Sequence, residues 1–428
     1  METTMRICVY EDAECSGLEP LTLTRPAFDL RCGASSLLER QVRRFAASEV
    51  GVLVRPMLAD LCRIAHPEIT VNDDAWLQRG PTVLVNARWL CGAKLMLTDG
   101  PEVGVVDDHI AYVVPPAGET VDAHLESLSW RLTEWKQTLP RRSAGGSLIA
   151  YPWDLVERNG DALGQDYSDW NIGRERAPLP AGATIVGPAE QVLIDLAARV
   201  EPLVVLDATK GPVLIDRGAV VQAFSRLEGP CYVGADSHIL GAKLRGGSIG
   251  PQCRVGGEVE ASILHGHANK AHDGFLGHSY VGEWVNLAAG TQVSDLRADY
   301  GTVGFRVGGR TIDSGLMKAG AYFGDHTKTS INALINTGTV SGPFSQFLAN
   351  GGLLPRVVPA FCRVAHGRLQ ERSDLREMFD TAAVMMGRRR REWTPEHAEL
   401  FLALYEQTEA SRRQTIREAD QRRLRRVV

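Results

Sequence analysis

From Ile215 onward the chain sets an aliphatic residue at every sixth position: Ile215, Val221, Leu227, Val233 and Ile239. Ile249 and Val255 repeat the step, as do Val281, Leu287 and Val293, and Phe323 and Ile335 stand on either side of Thr329 in the same phase. Glycine often comes next, as in Val233-Gly234, Ile249-Gly250, Val255-Gly256, Val281-Gly282 and Phe323-Gly324. Helical periodicity is absent. This pattern predicts a parallel β-helix: the aliphatic side chain fills the interior, glycine permits the corner, and coils stack because none buries its own face alone. An antiparallel β domain would instead alternate with period two. The repeat is broken at 261–280, where His265, His267, Lys270, His272, Asp273 and His278 crowd together, and again at 294–322. Insertions between coils map to loops on one face, often the functional one.

Ahead of the repeat the pattern is mixed. "MRICVYED" reads as a first strand, "GASSLLERQVRRFAA" has helical spacing with Ser35 or Ser36 as its cap, and "VGVLVRP" and "PTVLVNARWL" are short apolar runs typical of buried parallel strands. Strands alternating with helices predict a layered α/β sheet, with ligands at the carboxyl ends of its strands. "RSAGGS" at 142–147 and "RERAPLPAGA" at 174–183 read as connectors. From 366 the chain is helical and basic; interspersed Glu392, Glu396, Glu399, Glu406, Glu409 and Glu418 favour a solvated, ion-paired face over an RNA- or membrane-facing tail. The expected domains are therefore 1–175, 183–360 and 366–428.

Composition narrows the function classes. The chain has 428 residues, too many for one core, with 44% hydrophobic and 23% charged residues. A net charge of −5 argues against nucleic acid as the main partner. The first residues lack the pattern of a secretory leader, and no apolar run is long enough to span a bilayer. Eight scattered cysteines without a CxxC pair point to buried thiols in a reducing cytoplasm rather than to zinc or disulfides.

"LTLTRPAFDLRCGASSLLE", "YPWDLVERN" and "GEVEASILHGHANKAHDGFLGHSYVGEWVNLAAGTQVSDLRADYG" together resemble the GlmU-like sugar nucleotidyltransferases, over about residues 5–365. The resemblance implies an α/β nucleotidyltransferase-like domain, a left-handed parallel β-helix with three hexads per coil, and a homotrimer with sites shared between neighbouring helices. It also implies transfer of a nucleotidyl group from an NTP to a sugar 1-phosphate with Mg²⁺, and of an acetyl group from acetyl-CoA to an amino-sugar phosphate. One or both activities, or a catalytically degenerate sugar-nucleotide-binding trimer, are the alternatives the sequence leaves open.

The resemblance also assigns residues. His272, a few residues ahead of the Leu-Gly pair, matches the base that takes the proton of the acceptor amine; a histidine, with an ordinary pKa near ~6.5, suits that role. Asn286, Arg245, Glu260 and Tyr300 match substrate-binding positions, with Arg245 on the phosphate. Ser262 replaces a phosphate-binding lysine, and Lys270 is the candidate substitute. In the N-terminal domain the usual glycine-rich loop is absent. Arg25 and Arg31 are candidate phosphate ligands, with Gly33 allowing close backbone approach. Asn86 stands at the usual position of the metal-binding aspartate, so Asp12 or Asp166 is expected to supply the charge for Mg²⁺.

Overall fold

The computed structural model describes residues 5–424 apart from 93, 94, 96, 120 and 172–174. Arg174, at the head of the second expected connector, and the last four residues of the tail lie outside the described residues. By contacts the chain divides into two units: Met1–Leu18, Thr24–Leu30 and Ser35–Tyr151 form one, and Glu19–Leu23, Arg31–Ala34 and Pro152–Val428 the other. This contact division falls at Tyr151, whereas the expected domain boundary is 175.

The first unit is built on a seven-stranded sheet. Its strands are β1 (Arg6–Tyr10), β2 (Glu49–Leu53), β3 (Thr70–Val71), β4 (Val83–Asn86), β5 (Glu102–Val106), β6 (His109–Val114) and β7 (Arg141–Ser143), in the order β7-β5-β6-β4-β1-β2-β3. β1 runs parallel to both β2 and β4, pairing Val9 with Val52 and with Val85. All five residues of β1 are buried, as a central parallel strand requires. The α1 helix (Leu37–Phe45) starts in a capping box: the Glu39 N–H donates to Ser36 Oγ at 3.1 Å, and the Ser36 N–H donates to the Glu39 carboxylate at 2.7 Å. The α2 helix (Leu125–Thr138) buries Leu128, Leu132 and Trp135 at helical spacing against Cys8, Leu84 and Val113. The expected connector at 142–147 is in part a strand: Arg142 and Ser143 lie in β7, parallel to β5. Its charged side chains suit the edge it occupies.

The second unit is a parallel β-helix, and its interior repeats the hexads. One inward column holds Ile194, Ile215, Val233, Ile249, Leu264, Val281, Phe323, Ser341 and Val358. A second holds Val200, Val221, Ile239, Val255 and Lys270, and Leu287, Thr329, Phe347 and Val364 carry it on. A third holds Leu206, Leu227, Leu244, Val259, Leu276, Val293 and Ile335. Successive sixth residues therefore occupy successive faces, three to a coil.

Two expectations need correction. The stretch 261–280 does not break the repeat; it is a regular coil whose inward positions are Leu264, Lys270 and Leu276. The break was only in the aliphatic code, because a lysine fills one of its places. The glycines after the aliphatic residues serve close stacking rather than the corner: a Cβ on Gly250 would come within 2.0 Å of the His265 carbonyl oxygen in the next coil. The corner is turned by side-chain-bearing residues with positive φ, stacked coil on coil: Asp236, Gln252, His267, Trp284, His326, Phe344 and Phe361. From His267 onward these residues carry rings that form a column, with His267 on Trp284 at 4.3 Å and His326 on Phe344 at 4.6 Å between centroids. Ring stacking of this kind offsets the cost of left-handed backbone. The insertion expected at 294–322 carries a hairpin (Gly304–Val307 with Arg310–Asp313) pinned by Phe305, whose ring stacks on Trp153 at 5.2 Å.

Three helices close the second unit: α3 (Leu375–Gly387), α4 (Pro395–Gln407) and α5 (Glu409–Leu424). Glu409 and Glu418 pair with Arg413 and Arg422 along α5, as expected of a solvated face. Arg412 departs from it, fully buried between Glu371 at 2.8 Å and the Tyr405 ring at 4.0 Å. No described helix is long and apolar enough to cross a membrane. All eight cysteines are buried free thiols.

Lys270 is 1% exposed; its ammonium donates to the Gly256 carbonyl at 3.3 Å and to the His272 carbonyl. Burial pushes its pKa down to about 8, against the weaker pull of Asp273. Between that value and the unfolded one near ~10.4 the unfolded chain binds more protons, so folding stability rises with pH across the window. Lys270→Met should therefore be most favourable relative to wild type at pH 7, with the advantage shrinking toward pH 10. Melting temperatures of both proteins across that range test this; a constant offset would mean that folding does not shift the Lys270 pKa.

Candidate functional site

In the first unit the parallel strands β1 and β4 end at Tyr10 and Asn86, and a cleft of about 690 Å³ opens there, walled by α2. Three ion pairs organise it. Glu11, 3% exposed, accepts from Arg55 Nε at 3.0 Å and Nη2 at 3.1 Å, and from the Ala27 N–H at 3.1 Å. Asp12 accepts from Arg88 Nε at 2.8 Å and Nη2 at 2.7 Å, and from Asn86 Nδ2 at 2.8 Å. Lys136 donates to Asp108 at 2.9 Å. Burial alone would raise the Asp12 pKa, but the hydrogen bonds and charge of Arg88, with Asn86, outweigh it and hold the carboxyl below its usual range.

Not every expected residue reaches this cleft. Asp12 and Asn86 do, and they bind each other. Arg25 does not line it; its carbonyl accepts from Arg55 at 3.3 Å, and Arg55 and Arg88 are the arginines that face the cleft. Arg31, Gly33 and Asp166 belong to the second unit. There the Arg31 N–H donates to the Tyr280 hydroxyl at 2.9 Å, the Gly33 N–H to Asn159 Oδ1 at 2.8 Å, and the Ala34 N–H to Asp166 Oδ2 at 2.8 Å. Asp166 is wholly buried. These three residues stitch the 31–34 segment into the second unit and are corrected from nucleotide and metal ligands to packing residues.

Nor do the cleft residues fit a preformed Mg²⁺ site. Mg²⁺ asks for free carboxylate oxygens, whereas those of Asp12 are bonded to Arg88 and Asn86, and Glu14 leans on Arg88 at 2.6 Å. Among the described residues the one trio of metal-type ligands lies elsewhere, at Glu260, His278 and Asp295, with ligand atoms within 4.8 Å of one another.

That trio sits on the third face of the β-helix. Arg245 and Glu260 are neighbours in register, 3.3 Å apart as an ion pair, and Arg245 also pairs with Glu258. Lys318 donates to Glu260 at 3.0 Å, and His278 Nδ1 lies 2.7 Å from Asp295. The expected substrate residues are thus divided. Arg245 and Glu260 stand on the third face, whereas His272 and Asn286 line a groove of about 540 Å³ on the second. Tyr300 is 64% exposed in the insertion. Lys270 points inward to backbone carbonyls and is not presented to a ligand, which corrects its role as the replacement cation. Ser262, at the position of the family lysine, is buried and donates to the Glu260 carbonyl at 2.8 Å.

Comparison with known proteins bears on the first unit and on the start of the second. Residues 7–175 match the sugar nucleotidyl transferase family. Among curated proteins, the chain is 36% identical over 89 residues (21% of this chain, 22% of the relative) to a bifunctional sugar-1-phosphate nucleotidylyltransferase/acetyltransferase of Sulfurisphaera tokodaii. It is 38% identical over 128 residues (28% of this chain, 27% of the relative) to the bifunctional protein GlmU of a Jannaschia species. A Cyanothece GlmU matches at 28% over 207 residues, 43% of this chain and 41% of the relative. The chain spans less than half the length of the curated relatives it matches. The resemblance to GlmU-like nucleotidyltransferases read in the sequence is borne out.

Sequence reading missed Arg55, Arg88, Arg254 and Arg389. Arg88 carried a usable signal, lying two residues beyond the strand end at Asn86; Arg389 carried none, because only the fold brings it to the second face. Arg88 is 2% exposed and Asp12 about a quarter exposed at its side chain. Arg88→Met leaves that carboxylate without its partner and should lower the unfolding free energy by about 3 kcal/mol at pH 7, the low end for a broken buried pair. Because the Asp12 pKa is depressed in the fold, its contribution is present above the unfolded value near ~3.9 and fades as pH falls, so the deficit should narrow below pH ~4. Urea unfolding at pH 7 and 3.5 measures both; equal deficits would show that the pair is not the source.

Proposed function

We propose that the protein is a sugar-phosphate transferase of nucleotide-sugar biosynthesis. The observation that carries this reading is the open cleft at the carboxyl ends of β1 and β4, inside the segment that matches sugar nucleotidyl transferases. In the nucleotidyl reaction a sugar 1-phosphate oxygen bonds to the α-phosphorus of an NTP, and the bond to pyrophosphate breaks. Arg55 and Arg88 border the path of the phosphates, and positioning with charge neutralisation is most of what such a transfer needs. Trp130 on α2, 81% exposed at the cleft wall, offers its ring to the nucleobase.

The β-helix supports acyl transfer as the partner activity. There an amino-sugar nitrogen bonds to the thioester carbon of acetyl-CoA, the carbon–sulfur bond breaks, and the thiolate takes up a proton. His272, exposed in the second-face groove beside Asn286, accepts the amine proton. Arg245 and Glu260 stand on another face of the same helix, so a neighbouring copy is needed to bring both sets to one substrate. The protein on this reading is a homotrimer of left-handed coils that works in the cytoplasm on NTP, sugar phosphate and acetyl-CoA.

Pyrophosphate release on mixing the protein with an NTP panel and sugar 1-phosphates tests the first activity; turnover is expected, and none with any pair would sink it. Acetyl-CoA consumption with amino-sugar 1-phosphates tests the second. His272→Ala should cut that rate at least ~100-fold while leaving the mass by light scattering that of a trimer. Full acyl transfer in the variant would remove His272 as the base.

A further inference from the structure

The outward positions of the second face form a row as regular as the inward ones. In register from coil to coil they are His238, Arg254, Asn269, Asn286 and Lys328, without a carboxylate among them. The end of α3 brings Arg388 and Arg389 to the same groove. None of Arg254, Arg388 or Arg389 makes an ion pair with a carboxylate among the described residues, and no Asp or Glu lines the cavity.

The two inner arginines are held for another purpose than pairing. Arg389 Nη2 donates to Asn269 Oδ1 at 3.1 Å, while its Nε is buried with no hydrogen-bond acceptor. Arg254 Nη1 is tied to the Asp236 carbonyl at 3.0 Å and the Cys253 carbonyl at 2.9 Å, which fixes the guanidinium without neutralising it. Burial, then the charge of Arg389, lowers the Arg254 pKa; burial, then Arg254, Arg199 and Arg389, lowers that of His238. Asp236 is the acid that faces Arg254, and it offsets the field only in part. Two desolvated guanidiniums side by side raise the free energy of the empty protein, and a bound dianion would return that energy. The other wall, with Leu240, Leu287 and Ile331, is apolar and suits the uncharged body of an ester.

We propose that this groove binds a phosphate ester, with Arg254 and Arg389 forking its phosphate and the ester body lying along the apolar wall toward His272. The phosphate anchor in this groove is then Arg254 with Arg389, whereas Arg245, on the third face, has its guanidinium already paired with Glu258 and Glu260. The inference rests on the acyl-transfer reading only for its choice of probes. Two sources share the chemistry: the acceptor sugar 1-phosphate and the phosphates of coenzyme A.

Calorimetric titration of the full chain with inorganic phosphate, pyrophosphate, glucosamine 1-phosphate, CoA and dephospho-CoA tests it without turnover, so a failed assay of catalysis leaves the result intact. Arg254→Gln and Arg389→Gln are each expected to weaken the tightest ester at least ~10-fold, and the lysine variants less. Arg417→Gln, which removes one exposed charge from α5, should leave affinity unchanged. Preference for CoA over dephospho-CoA would assign the site to the donor; preference for glucosamine 1-phosphate would assign it to the acceptor. Wild-type affinity in both glutamine variants, with or without full affinity in the lysine variants, would overturn the proposal, as would no ester bound by wild type. If a glutamine variant does not fold, the lysine variant of that residue decides, with unchanged affinity counting against the site.

Discussion

Every peptide group in the β-helix must find its partner in the coil above or below, because the interior admits no water to replace one. That constraint fixes which side chains point inward, and with them the three columns, the close stacking at Gly250 and the column of rings at the corner. It also fixes the outer surface. Once Val255 and Lys270 are inward neighbours, Arg254 and Asn269 must be outward neighbours. The polar rows on the second and third faces are therefore by-products of a register set by aliphatic packing, and chemistry is written onto positions the scaffold leaves free.

The sequence was most informative where one residue type serves one purpose. Ile215, Val221 and Leu227 each fill one inward place, and their spacing of six revealed a stacked β-helix, although the three faces of each coil came only with the family resemblance. A serine at 35 or 36 announced the start of a helix for the same reason, and Ser36 is the cap, closed by Glu39. Legibility failed where a residue departs from its usual role. Lys270 in an aliphatic column looked like a gap in the repeat, and His267, Trp284 and Phe344 in left-handed backbone gave no glycine to mark the corner.

The candidate sites were legible in part. Asp12 and Asn86 were found because a strand end is a local feature. Arg31, Gly33 and Asp166 were misplaced because local sequence does not say which unit a short segment joins; the Asn159 and Asp166 side chains that hold residues 31–34 lie more than a hundred positions away. Arg254 and Arg389 were invisible for a related reason: their nearness comes from a helix folding back on coils that precede it by the same distance in the chain.

The inward columns are not uniform, and this gives the β-helix a direction. From Val192 to Val259 they are aliphatic throughout; from Lys270 onward they include a lysine, Thr329 and Ser341. Backbone amides in the early coils should open to solvent only with global unfolding, whereas those around the lysine can open in a smaller, cheaper excursion. The coils with the softer interior are those that carry His272, Asn286 and His278, so the surface that would meet a ligand lies over the part of the solenoid most able to yield to one.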